Sequence, residues 1–197
     1  MLEDKNIIKN NFGYFEKSEK PSESELNEYY AKKYYQTSKA TYSQEYSPEE
    51  IKYFNNKIKE KYFIISKNIP PQNIPGSFLD IGCGEGWALK YFKNLNWDVR
   101  GIDFSDFGCK NHNPDCAENL IIGDIYDSIR KLTESGRHFD VILLDNVLEH
   151  VLNPLELLKQ CLRLANPNTI LLIEVPNDFS ALQEYLFKKN YIDSEFW

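Results

Sequence analysis

The segment Phe78-Leu79-Asp80-Ile81-Gly82-Cys83-Gly84-Glu85-Gly86 constrains the fold of this 197-residue chain more than any other. A short apolar run reads as a buried strand, and three glycines spaced G-x-G-x-G read as a tight turn. The amphipathic stretch from Trp87 to Leu95 then reads as a helix. Four further strands are expected downstream, at 98–103, 120–125, 139–145 and 169–175, most of them followed by a helical stretch. Residues 120–122, 141–144 and 170–173 are apolar throughout rather than alternating, as suits parallel strands covered on both faces. The expected fold is therefore α/β, a doubly wound, mainly parallel sheet.

The ends of these strands carry the chemistry. Asp103 closes the second strand about 20 residues after the glycines, where a carboxylate can accept both hydroxyls of an adenosine ribose. The dinucleotide fingerprint G-x-G-x-x-G has its last glycine one residue later than the turn seen here. Glu85 occupies the helix start, where a pyrophosphate would bind and be repelled by a carboxylate. A nicotinamide-dependent oxidoreductase is thus disfavoured, and a cationic cofactor is not.

With Asp80 beside it, this turn resembles the S-adenosylmethionine (SAM) site of the class I SAM-dependent methyltransferases, over about residues 74–190. The resemblance implies a Rossmann-like sheet, SAM as cofactor and S-adenosylhomocysteine (SAH) as product. It implies cofactor contacts at Asp80, Gly82, Cys83, Gly84, Gly86, Asp103, Phe104, Asp124, Ile125, Asp145 and Asn146, with Asp124 at the adenine amino group. Asp145-x-x-x-Glu149-His150 and Val175-Pro176-Asn177 resemble a subgroup that modifies sugars, quinols and other small molecules. The expected acceptor is a small molecule, a sugar or nucleotide-sugar among the choices. His150 is either the general base or a group bracing the loop, Asn177 either a substrate contact or an ordinary turn residue. A non-catalytic SAM-binding partner subunit is the rival reading from another class.

Residues 1–25 are polar, charged and weakly periodic, as a loose arm would be. Nine of the 13 tyrosines fall in residues 1–70, including Tyr34 and Tyr35. They either dock a helix or cover the substrate. Ser47-Pro48-Glu49-Glu50 carries the signals of a helix start, and that helix should run to about Ser66. Pro70-Pro71 and Pro75-Gly76 mark a boundary, giving an N-terminal arm and helical lid over 1–70 and the Rossmann-like domain over 71–197. Asn153-Pro154 starts another helix, Asn166-Pro167 stops it, and a last helix is expected over 179–190. The resembled fold normally adds two more strands, one antiparallel, and none is legible here. Either the chain is a piece of a longer one or the sheet edge is completed otherwise; an unpaired edge invites association, such as a homodimer.

Net charge is -7, and residues 71–197 carry the excess of acid. Nucleic acid is an unsuitable substrate for such a surface. No apolar run approaches membrane-spanning length and no signal-peptide pattern opens the chain, so no membrane association and a cytoplasmic location are expected. Cys109-x-x-His112-x-x-x-Cys116 lacks a fourth ligand at a familiar zinc spacing, so no metal is expected.

Overall fold

A computed structural model describes residues 7–22, 24–26, 28, 45–178 and 180–192. The chain divides into two compact units, Met1–Tyr42 and Ser43–Trp197. In the first, strands β1 (Ile7–Lys9) and β2 (Phe15–Lys17) pair antiparallel, with Ile8 opposite Glu16. The turn between them is closed by the Asn10 side chain, which accepts the Phe12 N–H at 3.0 Å, and by Gly13 at φ 91°. The weak periodicity of residues 1–25 hides this hairpin, because only three residues of each strand pair. Tyr34 and Tyr35 lie outside the described residues.

The second unit begins with α1 (Pro48–Asn68), whose start is fixed by a capping box between Ser47 and Glu50. There follow β3 (Ser77–Ile81), α2 (Trp87–Asn94), β4 (Asp98–Asp103), α3 (Phe107–His112) and β5 (Leu120–Ile122). The chain continues through α4 (Ile125–Glu134), β6 (Phe139–Asp145), α5 (Pro154–Arg163), β7 (Ala165–Glu174) and α6 (Ala181–Lys188). β3 to β7 form one parallel sheet in the order β5-β4-β3-β6-β7. The winding reverses between β3 and β6, and in open α/β sheets such a reversal opens a crevice at the carboxyl ends of the strands.

Successive strand residues point to opposite faces, and both faces are covered. Phe78, Val99, Val141 and Leu143 join Leu89 and Phe92 of α2 and Ile58 and Ile65 of α1. Phe78 stacks on Phe92 at 3.9 Å between ring centroids, and Trp97 meets Phe92 edge-on at 5.1 Å. On the other face Leu79, Ile81, Ile102, Ile142 and Leu144 pack with Ile125 and Ile129 of α4 and Leu157 and Cys161 of α5. Each fully buried aliphatic side chain contributes about 1.5–3 kcal/mol, which explains why the strands carry no polar alternation. The helix over 48–68 packs into the first of these clusters.

Two strand boundaries differ from the sequence reading by more than two residues. β5 stops at Ile122, because Gly123 already turns its N–H back to the Asp103 carbonyl at 2.9 Å. β7 starts at Ala165, but its regular pairing with β6 resumes only at Ile170. Between them the Thr169 hydroxyl donates to the Phe139 carbonyl (2.6 Å) and accepts the Asn166 N–H (2.7 Å), bridging Pro167, which has no N–H for the ladder. β7 is an edge strand, with Ile173 39% exposed; no strand follows Glu174 among the described residues. All four cysteines are free and buried. Among the described residues no three His, Cys, Asp or Glu side chains converge as metal ligands, and no helix is long and apolar enough to cross a membrane.

Candidate functional site

The glycine turn joins β3 to α2 across the end of β4. The Gly82 and Cys83 N–H groups both donate to the Ile102 carbonyl, at 2.8 and 3.2 Å. Gly82 sits at φ 72° and Gly86 at φ 77°, in the left-handed region. A Cβ on Gly82 would lie 2.6 Å from Val147 Cγ2, and one on Gly86 2.8 Å from Cys109 Sγ. Glycine is required at both for space as well as for backbone angle.

Asp103, 8% exposed, anchors the turn. Its Oδ2 accepts the Gly84 N–H at 2.8 Å and its Oδ1 the Ser105 N–H at 3.1 Å. Burial raises its carboxyl above the ordinary value, and the amides of Gly84, Ser105 and Phe104 pull it part of the way back. A carboxylate so held keeps free lone pairs on both oxygens, the acceptor pattern a vicinal diol requires. Asp80, on the neighbouring strand, is buried; burial first, then Asp145 and Asp103, push its carboxyl well up, with Lys61 opposing. The Cys83 thiol is pushed well up by burial.

The other residues singled out from the sequence distribute as follows. Asp124 is the N-cap of α4, accepting the Asp127 N–H at 3.0 Å. Ile125 and half-buried Phe104 pack in the second core cluster next to it. Asp145 ends β6; Asn146, at φ 55°, follows and turns the chain. The Asn146 N–H donates to the Glu174 carbonyl at 2.9 Å, and its Nδ2 to Asp145 Oδ1 at 3.2 Å. His150 closes a 3₁₀ turn over Leu148–His150, with Nε2 3.7 Å from Glu149 Oε1. Its side chain is 44% exposed, yet partial burial still draws the imidazole pKa below the ordinary value. Burial, then Asp145 and Asp178, raise Glu149. Asn177 is exposed in the segment after β7. The fold thus brings Asp80, Asp103, Asp124, Asp145, Asn146, His150 and Asn177 to the carboxyl-end rim of one sheet.

Three features of the rim are not legible from local sequence. Glu85 lies directly before Gly86, the N-cap of α2. Its carboxylate is buried and accepts from Tyr46 Oη and Trp87 Nε1, each at 2.7 Å, with His112 Nε2 at 3.4 Å from Oε1. Tyr46, Phe54, Trp87 and His112 enclose it, with Phe54 stacked on Trp87 at 5.3 Å. Tyr46 and Trp87 are neutral donors, so these bonds orient the carboxylate at the helix start without cancelling its charge. Lys61 of α1 is buried against Asp145 Oδ2 (3.0 Å) and Glu174 Oε2 (2.6 Å). Lys57, one turn earlier, meets Glu174 Oε1 at 2.9 Å. Burial would raise the Glu174 carboxyl, but the two lysines outweigh it and hold it below the ordinary range.

Comparison with known proteins matches residues 37–195 to the family described as "Methyltransferase domain". The chain is 35% identical over 103 residues to a ubiquinone biosynthesis O-methyltransferase of Caulobacter vibrioides, covering 51% of this chain and 41% of that protein. It is 29% identical over 142 residues to the enzyme of that name in Pelagibacter ubique, covering 72% and 58%. The chain spans about half the length of the curated relatives it matches. Among solved structures, a SAM-dependent methyltransferase from Archaeoglobus fulgidus shares the fold at TM-score 0.55, with 21% identity over 71% of this chain and 59% of the other. The plantazolicin methyltransferase BpumL, in complex with SAH and a pentazolic desmethylPZN analogue, aligns at TM-score 0.51 and 26% identity, covering 72% and 66%. A parallel sheet wound about a glycine turn has the Rossmann-like fold of the class I methyltransferases, and the family match over most of the chain places it in the methyltransferase-domain family.

Proposed function

We propose that this chain transfers a methyl group from SAM to a hydroxyl of a small-molecule acceptor. One observation carries the reading: the Asp103 carboxylate, held by the Gly84 and Ser105 amides at the carboxyl end of β4, directly beside a turn of positive-φ glycines. When bound, SAM supplies a methyl already activated by its sulfonium. The chain then has to bind, align and exclude water. Asp103 accepts the ribose diol, the glycine turn lets the nucleoside approach the backbone, and Asp124 at the end of β5 takes the adenine side. Asp80, Asp145 and Asn146 flank the amino-acid part. As the acceptor oxygen gains the methyl it loses its proton, and His150 takes it. The lowered imidazole pKa keeps that side chain neutral, and so able to accept, at neutral pH. Asn177, after β7, contacts the acceptor.

The relatives named ubiquinone biosynthesis O-methyltransferase support oxygen as the methylated atom. A sugar or nucleotide-sugar offers the same hydroxyl chemistry and is the finer alternative within this reading. The test has two stages. Thermal shift with SAM, SAH and NAD should show stabilisation by the first two only. Labelled methyl transfer from SAM is then followed against phenols, catechols, sugars and nucleotide-sugars. Stabilisation by NAD and not by SAH would overturn the reading in favour of an oxidoreductase. SAH binding without transfer to any hydroxyl compound would favour a non-catalytic partner subunit.

A further inference from the structure

The inner face of α1 carries an apolar stripe, Phe54, Ile58 and Ile65, interrupted by Lys61. Lys61 is 5% exposed. A buried ammonium is among the costliest groups to desolvate, and a leucine at this position would continue the stripe without loss of packing. The sheet supplies a reason for the charge. Asp145 and Glu174 are register partners on adjacent parallel strands, and two carboxylates facing each other across neighbouring strands repel. Lys61 Nζ bridges them, at 3.0 Å from Asp145 Oδ2 and 2.6 Å from Glu174 Oε2. The outer oxygens are also held: Glu174 Oε1 by Lys57 at 2.9 Å, Asp145 Oδ1 by Asn146 Nδ2 at 3.2 Å. The result is an ordered chain, Lys57–Glu174–Lys61–Asp145–Asn146, leading from the solvent side of α1 to the end of β6.

We infer that Lys61 is a positioning residue, which fixes the Asp145 carboxylate for the cationic ammonium of the cofactor's amino-acid part. This rests on the SAM reading above. With adenosine held at β4, the ligand crosses the end of β3 and reaches β6, strands being about 4.8 Å apart. That places its amino-acid end at Asp145. Lys61 itself need not touch the ligand. It restrains the carboxylate that does, and it joins α1 to the cofactor site.

Two probes separate this from a merely structural role. SAH carries the amino-acid part, and 5′-methylthioadenosine lacks it. Calorimetry on the 197-residue chain should show Lys61→Met lowering SAH affinity by about tenfold or more, the scale of one charged hydrogen bond. Methylthioadenosine affinity should stay within about twofold, and Lys61→Arg should restore most of the SAH affinity. Asp145→Asn removes the repulsion that Lys61 relieves, so it remains informative if Lys61→Met folds poorly. Asp145→Asn should weaken SAH selectively, and Lys61→Met added to it should cost little more. Equal losses for both ligands, unchanged SAH affinity in Lys61→Met or Asp145→Asn, or additive losses in the double variant would overturn the inference. If the wild-type chain bound methylthioadenosine and SAH equally, the positioning role would fall and the cofactor reading stand. If it bound neither, both would fall.

Discussion

Replacing Gly82 by alanine tests the geometry on which the cofactor turn depends. An L-residue at φ 72° costs about 1–2 kcal/mol relative to a right-handed backbone. The added Cβ lies 2.6 Å from Val147 Cγ2, and Val147 is buried at the start of the 3₁₀ turn. Overpacking of this kind costs about 1–3 kcal/mol. The sum, about 2–5 kcal/mol, is a large part of the 5–15 kcal/mol typical of a domain. Urea unfolding of Gly82→Ala should show that loss at unchanged m-value. Val147→Ala in the same background separates the two causes. It removes the clashing methyl but not the backbone strain, so the pair should couple favourably by about 1–3 kcal/mol, with about 1–2 kcal/mol remaining. A Gly82→Ala loss below about 0.5 kcal/mol, or strict additivity with Val147→Ala, would refute the reasoning.

Asp103→Ala removes a charged acceptor, and calorimetry should register a loss of about 1.5–3 kcal/mol in SAH binding, roughly 10- to 150-fold; unchanged affinity would take Asp103 out of the site. His150→Gln should lower turnover by about 10²–10⁴ with SAH affinity nearly unchanged. The wild-type pH–rate profile should fall on its acid side below the ordinary histidine value, because the imidazole pKa is lowered; a fall in affinity with turnover preserved would make His150 a brace. Tyr46→Phe removes a hydrogen bond to buried Glu85 and should cost about 1.5–3 kcal/mol by urea unfolding, an effect that would vanish if the bond did not form in solution. Glu174 has a folded pKa below its unfolded value near 4.5, so its contribution is fully present above that value and lost as pH falls through the folded pKa. Acid unfolding of Glu174→Gln should accordingly be less steep than that of wild type, and identical curves would count against the Lys57–Glu174–Lys61 pairs.

The strands, the glycine turn and the place of Asp103 at a strand end were legible because each is written in consecutive residues: an apolar run, a spacing of glycines, an acid after the run. Elements starting at a cap, such as α1 at Ser47-Pro48, were placed to within a residue or two for the same reason. What was not legible has non-local causes. The place of Glu85 at the helix start could be read locally, but its partners Tyr46, Trp87 and His112 span 67 residues of chain. Lys61 left a local signal, a charge within the stripe of Ile58 and Ile65. Its partners, Asp145 and Glu174, meet only once β6 and β7 are in register. Asp124 illustrates an overlap of roles, since an acid after a strand is also what caps the next helix.

The four buried thiols give this fold a built-in clock. Only a thiolate reacts readily with alkylating reagents, and burial pushes the thiols of Cys109 and Cys161 up to about 12. Cys83, Cys109 and Cys116 lie in the core beneath α1 and α2, whereas Cys161 lies on the opposite face of the sheet with α4 and α5. Alkylation under native conditions therefore has to wait for a layer of helices to lift, and mass spectrometry can tell which layer lifted first. Labelling of Cys83 times exposure of the glycine turn itself, while labelling of Cys161 times the far side, so one reagent resolves the breathing of the two halves of the sandwich residue by residue.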